Sequence, residues 1–226
     1  MLPDPVAIYL RRAMGSETRR IAIARLKQSG EVRMERTSRW GAFEAEETVH
    51  PADVAFEWNA RVPIGKWFHL RVRESYRHGH AEARVRLQSL VTLGHDKDSE
   101  PLDRGALYRF LAEAPWYPSA LYPSAHLRWE AIDAKRALAT LENGRCRVAL
   151  EFRFDTFDDV AGIYTPQRPR RRRGGYENAA WEGRFQEYRE HQGLRIPTRG
   201  EVGWHEDGRW DSVWRGKITE ARYEFG

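Results

Sequence analysis

An alternation of apolar and polar residues with a period of two, restarting after one turn-prone token after another, constrains this chain more than anything else in its sequence. It is cleanest where Cys146, Val148, Leu150, Phe152 and Phe154 alternate with Arg147, Ala149, Glu151 and Arg153. Successive side chains of a strand point to opposite faces, so this segment reads as a strand buried on one face and wet on the other. Comparable segments run near 21–36, 40–49, 54–62, 67–78 and 80–93, punctuated by tokens such as His50-Pro51, Pro63-Ile64-Gly65 and His78-Gly79. The pattern resumes near 126–133, 136–142, 145–155, 158–166, 180–189, 195–206 and 210–224. Arg77-His78-Gly79-His80 is short enough for a hairpin, and Glu142-Asn143-Gly144 predicts a type I′ turn. About a dozen twisted antiparallel strands in succession do not stay flat, so a barrel or half-barrel is expected.

Two interruptions are helical. Asp4-Pro5 is a cap and first-turn pair, followed at helical spacing by Val6, Tyr9, Leu10 and Ala13, and Gly15 ends a leading helix over 1–15. Asp103 then caps a second run, Leu107, Phe110, Leu111 and Ala114, which Pro115 stops. The segment after it, from Trp116 to Ser124, is apolar and aromatic but holds Pro118 and Pro123, so it cannot be a regular strand. The expectation is that 103–124, a helix with an aromatic loop, lies over the concave face of the sheet and makes a pocket. No linker or repeat divides the chain, so one mainly β (α+β) domain over 1–226 is expected, with strands over 21–93 and 126–224.

A chain of 226 residues buries roughly 70% of its unfolded surface, so it needs no disulfide staples. Cys146 is the single cysteine and, in phase with apolar neighbours, reads as a core residue. No segment reaches the ~20 apolar residues of a membrane span, and the N-terminus lacks the apolar run of a secretory signal, so a soluble cytoplasmic protein is expected. Nucleotide-binding and hydrolase fingerprints are missing and no cofactor is expected. His78 and His80 share a strand face, but no third ligand lies near, so no metal is expected either. All but five of the 38 basic residues are arginine, and the net charge is +5. That excess is concentrated in the run from Arg168 to Gly175, which reads as a solvated hairpin loop. Contact of Arg170–Arg173 with an acidic partner or phospholipid surface is the second reading. The near balance elsewhere argues against nucleic acid.

Several segments, among them the block from Leu107 to Ser124 (LYRFLAEAPWYPSALYPS), Arg128–Asp133, Trp181–Phe185 and Trp214–Thr219, resemble a bacterial family known as a domain of unknown function. The resemblance covers nearly the whole chain. Its organisation is similar to the lipoprotein-carrier class, in which a curved antiparallel sheet closed by helices holds an acyl chain; that is a likeness of shape rather than of motif. Some relatives carry membrane segments ahead of the domain, whereas this chain starts directly at the Leu2-Pro3 helix, which argues against a membrane role.

The candidate chemistry follows from the aromatics. Trp116, Tyr117 and Tyr122 lie in the proline-broken segment, and Trp58, Trp129, Trp204 and Trp214 on strands, where a curved sheet would bring them to one cavity suited to an apolar ligand. Arg184 and Arg215, set close to tryptophans, are expected inside, where an arginine could hold a ligand carboxylate. The functional expectation is binding of a hydrophobic small molecule, an acyl chain or a polyketide- or isoprenoid-like compound. The alternative is a cofactor-independent enzyme of cyclase or isomerase type, with Glu113, Glu130 or His205 as acid or base.

Overall fold

The computed structural model describes residues 2–33, 38–64, 67–88, 91–97 and 99–226. The predicted strand segment 34–36, Gly65 of the predicted turn and residues 89–90 lie outside that range. The order of elements is helix α1 (Asp4–Met14), strands β1 (Ile21–Val32), β2 (Gly41–His50), β3 (Ala55–Ile64), β4 (Phe68–Arg77), β5 (His80–Leu87) and β6 (Val91–Lys97), helix α2 (Glu100–Glu113), then β7 (Leu127–Asp133), β8 (Arg136–Asn143), β9 (Cys146–Phe154), β10 (Val160–Arg172), β11 (Gly175–His191), β12 (Leu194–Glu206) and β13 (Arg209–Phe225). All thirteen strands form one antiparallel sheet in the order β6-β5-β4-β3-β2-β1-β13-β12-β11-β10-β9-β8-β7. Two meanders therefore meet where β1 pairs with β13, and the sheet curls into a half-barrel whose edges are β6 and β7. Helix α2 runs between those edges and packs on β4, β5, β8, β9 and β10.

The alternation dictates this. In β9, Cys146, Val148, Leu150, Phe152 and Phe154 are all buried and the residues between them are not. Helix α1 seals one end of the half-barrel, burying Val6, Tyr9, Leu10, Ala13 and Met14. Pro115 ends α2 as expected, and two short 3-10 turns, Ala114–Trp116 and Pro118–Leu121, carry the aromatic segment inward.

Four details differ from the sequence reading. The predicted strand 80–93 is two strands, β5 and β6, which makes thirteen. Helix α2 begins at Glu100, with Pro101 in its first turn, and Asp103 does not cap it. Instead the sealed Asp103 carboxylate accepts the Ala81 N–H at 2.7 Å and Arg145 at 2.8 Å, tying the β4–β5 hairpin to the β8–β9 hairpin. Those two turns touch through Gly79 and Gly144: a Cβ on Gly79 would stand 3.1 Å from the Gly144 Cα. His78 and Gly79 both have positive φ, the I′ pattern. In the β8–β9 turn the central residues are Gly144 and Arg145, with positive φ at Gly144 alone, so it is not the predicted I′ turn.

The fourth difference is the arginine run. It is not a loop: β10 continues through Arg172 and turns at Arg173-Gly174. Arg170 pairs with Glu206 at 3.5 Å, Arg171 with Asp96 at 2.6 Å and Arg172 with Glu177 at 2.6 Å. The Asp96 contact, shared with the Tyr176 hydroxyl at 2.7 Å, holds edge strand β6 against β10 and β11. Arg170, Arg171 and Arg172 are thus each paired with a carboxylate of the chain.

Candidate functional site

Between the concave face of the sheet and the end of α2 lies a cavity of about 630 Å³. Its sheet wall is built from side chains of eight strands, Val32 of β1, Trp58 and Val62 of β3, Leu70 and Val72 of β4, Val85 of β5, Ile163 of β10, Trp181 and Phe185 of β11, Val202 of β12 and Trp214 of β13; α2 and the following turn add Arg109, Ala112, Glu113 and Trp116. One side is a continuous run of rings. Trp58 meets Phe43 at 6.0 Å between centroids, Phe43 meets Trp214 at 5.7 Å, Trp214 meets Trp116 at 6.2 Å and Trp116 meets Phe185 at 6.1 Å. Spacings and tilts of this kind suit aromatic pairs. Glycines make room for the run: a Cβ at Gly216 would come within 2.7 Å of the Trp214 ring, and one at Gly200 within 3.2 Å of Trp116.

The floor is polar. Arg109 of α2 reaches Glu74 on β4 at 2.7 Å, Glu113 one turn along at 2.9 Å and Glu47 on β2 at 3.3 Å, with its guanidinium over Trp58 and Phe56. From Glu47 a chain of hydrogen bonds leads back to the aromatic wall, the Gln28 amide donating to Glu47 at 2.8 Å and the Trp58 indole donating to Gln28 at 2.9 Å. Burial alone would depress Arg109, but three carboxylates outweigh it and hold its pKa up. Burial pushes Glu113 well above the usual carboxylate range despite Arg109, and the adjacent Glu47 adds to the shift. Glu47 is raised for the same first reason. Glu113 Oε2 is sealed and finds no donor among the described residues. A proton held between the two carboxyls satisfies both observations, as for any pair of like charges that cannot both ionise.

Arg168, on β10, faces the same cavity without an ion pair among the described residues. Its guanidinium lies 4.4 Å from the Trp181 ring centroid and 5.7 Å from that of Trp204, and one terminal nitrogen donates to the Gly105 carbonyl at 3.2 Å. Burial pushes its pKa down to about 10.

Of the candidate residues, Trp58, Trp116, Trp214 and Glu113 are brought together at this cavity. Tyr117 does not join them: it is fully buried beneath α2 with its hydroxyl donating to the Phe110 carbonyl at 2.6 Å. Tyr122 lies under the Arg20 guanidinium beside a separate cleft, and Trp129 packs on Phe152 and donates to the Leu121 carbonyl. Trp204 faces inward beside Arg168 and Arg170 but stands outside the cavity lining. Glu130 is exposed on edge strand β7. His205 points to the outer face, where it meets Glu182 at 3.0 Å and the edge of Tyr164.

Arg184 and Arg215 are also outside. They line an outer groove, paired with Glu182 at 2.7 Å and Glu31 at 2.7 Å and stacked over Trp210 and Trp40. The reason is the strand period: Arg215 follows Trp214 by one and Arg184 follows Trp181 by three, so each faces away from its tryptophan. Glu47, Glu74, Arg109 and Arg168 are residues of the cavity and its floor that no motif in the sequence singles out. Glu47 stands in phase with Phe43, Ala45 and Val49, and Glu74 with Leu70, Val72 and Tyr76, so a charge on the inward phase of a strand was the available clue.

Among solved structures, a domain assigned to outer membrane lipoprotein sorting from Vibrio parahaemolyticus is similar at 10% identity and a TM-score of 0.49, over 98% of this chain and 94% of that one. A LolA-superfamily protein from Nitrosomonas europaea gives 10% identity and 0.49 over 97% and 92%, and a DUF1329-family protein from Desulfovibrio piger 11% and 0.45 over 99% and 95%. No curated protein matches the sequence. The profile of the family of unknown function DUF6544 matches residues 1–216, and the chain belongs to that family.

Proposed function

We propose that this protein binds a hydrophobic small molecule, an acyl chain or a compound of similar apolar length, inside the half-barrel. The observation that carries the reading is the cavity itself. Folded interiors leave few voids larger than a water molecule, whereas this one holds about 630 Å³ between a wall of tryptophans and valines and a few convergent polar groups. That is the size and composition of a small-molecule site. Aromatic rings and branched aliphatics offer an extended chain dispersion contacts along its whole length without demanding a particular hydrogen-bond pattern. Glu113, the acid–base candidate that reaches the cavity, is committed to Arg109 and Glu47, so the reading rests on binding rather than turnover.

Native mass spectrometry of the purified protein, followed by organic extraction, tests this. The expected result is a bound species of lipid-like mass, either carried through purification or taken up from added fatty alcohol. A chain that carries no added mass under either condition would overturn the reading.

A further inference from the structure

Resting on that reading, we propose that the ligand is a single-chain amphiphile with one anionic head group, a carboxylate or monophosphate, and that Arg168 is the residue that pairs with it. Four observations lead there. Arg168 lines the cavity, and no carboxylate of the described residues lies within ion-pair distance of it. Around the cavity, Glu47, Glu74 and Glu113 are gathered on Arg109, and the further lining carboxylate, Glu201 of β12, makes no ion pair with Arg168. Of the five N–H donors of a guanidinium, one is used, on a single carbonyl of α2. The ring faces of Trp181 and Trp204 hold the guanidinium in place but accept none of its in-plane hydrogen bonds.

The surroundings reinforce the polarity. Arg168 Nε and the indole nitrogens of Trp116 and Trp181 are sealed N–H groups with no acceptor among the described residues, so the unmet hydrogen-bonding capacity on this wall is that of donors. On the floor, by contrast, the charge of Arg109 is already met. A buried cation without a counter-ion is costly, and an anion delivered by the ligand supplies one. The geometry also separates the ends of such a molecule. The head sits at Arg168 on β10, and the tail runs along Phe185, Trp116 and Trp214 toward the valines of β3 and β4. A planar fork suits carboxylate and phosphate oxygens alike.

The test compares palmitate, hexadecyl phosphate and 1-hexadecanol on the full chain, with affinities read by isothermal titration calorimetry. The wild type is expected to bind either anion about ten- to hundredfold more tightly than the alcohol, the range of a charge-assisted hydrogen bond. Arg168→Met should abolish that preference while leaving alcohol binding within about threefold. Arg168→Gln, which keeps a polar planar head without charge, should do the same and serves where the methionine variant does not fold. Equal binding of all three ligands by the wild type, or a preference that survives in the variant, overturns the assignment of Arg168 and leaves the cavity reading standing. Failure of all three to bind the wild type overturns both. A preference for the phosphate over the carboxylate, or the reverse, identifies which anion the site takes.

Discussion

Replacing Arg109 with leucine removes the one cation on which three carboxylates converge, and the consequence can be worked out. Glu47 is fully sealed and Glu113 only 15% exposed, so water does not fully replace the guanidinium when it goes. Two routes remain open to the fold. Keeping the charges leaves a broken buried ion pair, which costs about 3–5 kcal/mol. Neutralising one further carboxylate costs about 1.4 kcal/mol for each pH unit above its ordinary value of 4.5. That amounts to about 4 kcal/mol at pH 7.5 and about 1.4 kcal/mol at pH 5.5. The fold takes the cheaper route at each pH, so the variant should lose about 4 kcal/mol at pH 7.5 and recover most of it at pH 5.5. The sign follows from linkage: a carboxyl whose folded pKa lies above its unfolded value contributes stability that disappears as pH rises. Urea unfolding followed by tryptophan fluorescence at the two pH values measures both numbers. A loss under about 1 kcal/mol, or one that does not change with pH, refutes the description of Arg109 as the counter-ion of a buried acidic cluster.

Three further outcomes are expected. Glu113→Gln keeps the shape of a protonated carboxyl, so near pH 6 it should alter stability by under about 1 kcal/mol. Above the usual carboxylate range the wild type should lose stability with pH faster than the variant, by up to about 1.4 kcal/mol per unit; parallel profiles would show that Glu113 does not hold a proton in the fold. Asp103→Ala deprives the Ala81 N–H of its acceptor and opens the clasp between the two hairpins. It should cost about 1–3 kcal/mol, and in hydrogen exchange the Ala81 amide should lose more protection than the core amides of β9. Gly216→Ala drives a methyl into the Trp214 ring, which must swing away; overpacking of about 1–3 kcal/mol is expected, together with weaker uptake of an apolar ligand, and unchanged uptake would show that the Trp214 wall is not part of the site.

The half-barrel was legible because one physical rule, alternation on a strand, governs most of the chain, and Asp4-Pro5, Pro115 and His78-Gly79 mark its ends and turns. The same rule explains the errors at the site. Nearness in sequence to a tryptophan makes Arg215, Glu130 and His205 candidates, yet a residue one step along a strand faces the other side of the sheet. Glu47 and Glu74, on the inward phase, carried the information instead. Arg168 was harder to see. A register shift between Thr165 and Arg168 resets the phase of β10, and the run of arginines around it mimics a solvated loop. Arg109 becomes meaningful only when α2 is laid across the sheet, which brings β2 and β4 to it from distant parts of the chain. Asp103 shows the converse: local chemistry made it a helix cap, and a tertiary contact claimed it.

The central claim, an apolar ligand within the aromatic wall, is tested most directly by quenching of the wall itself. Trp58, Trp116, Trp181 and Trp214 line the cavity, while Trp67 is 77% exposed and serves as an internal reference for contact from outside. Titration with a fatty alcohol brominated along its chain should quench part of the tryptophan emission saturably and at one equivalent, leaving the red-shifted, exposed component. In Val72→Phe, which places a ring in the lumen, that saturable phase should vanish. Quenching that rises without saturation, or that is the same in Val72→Phe, would contradict a ligand inside the half-barrel.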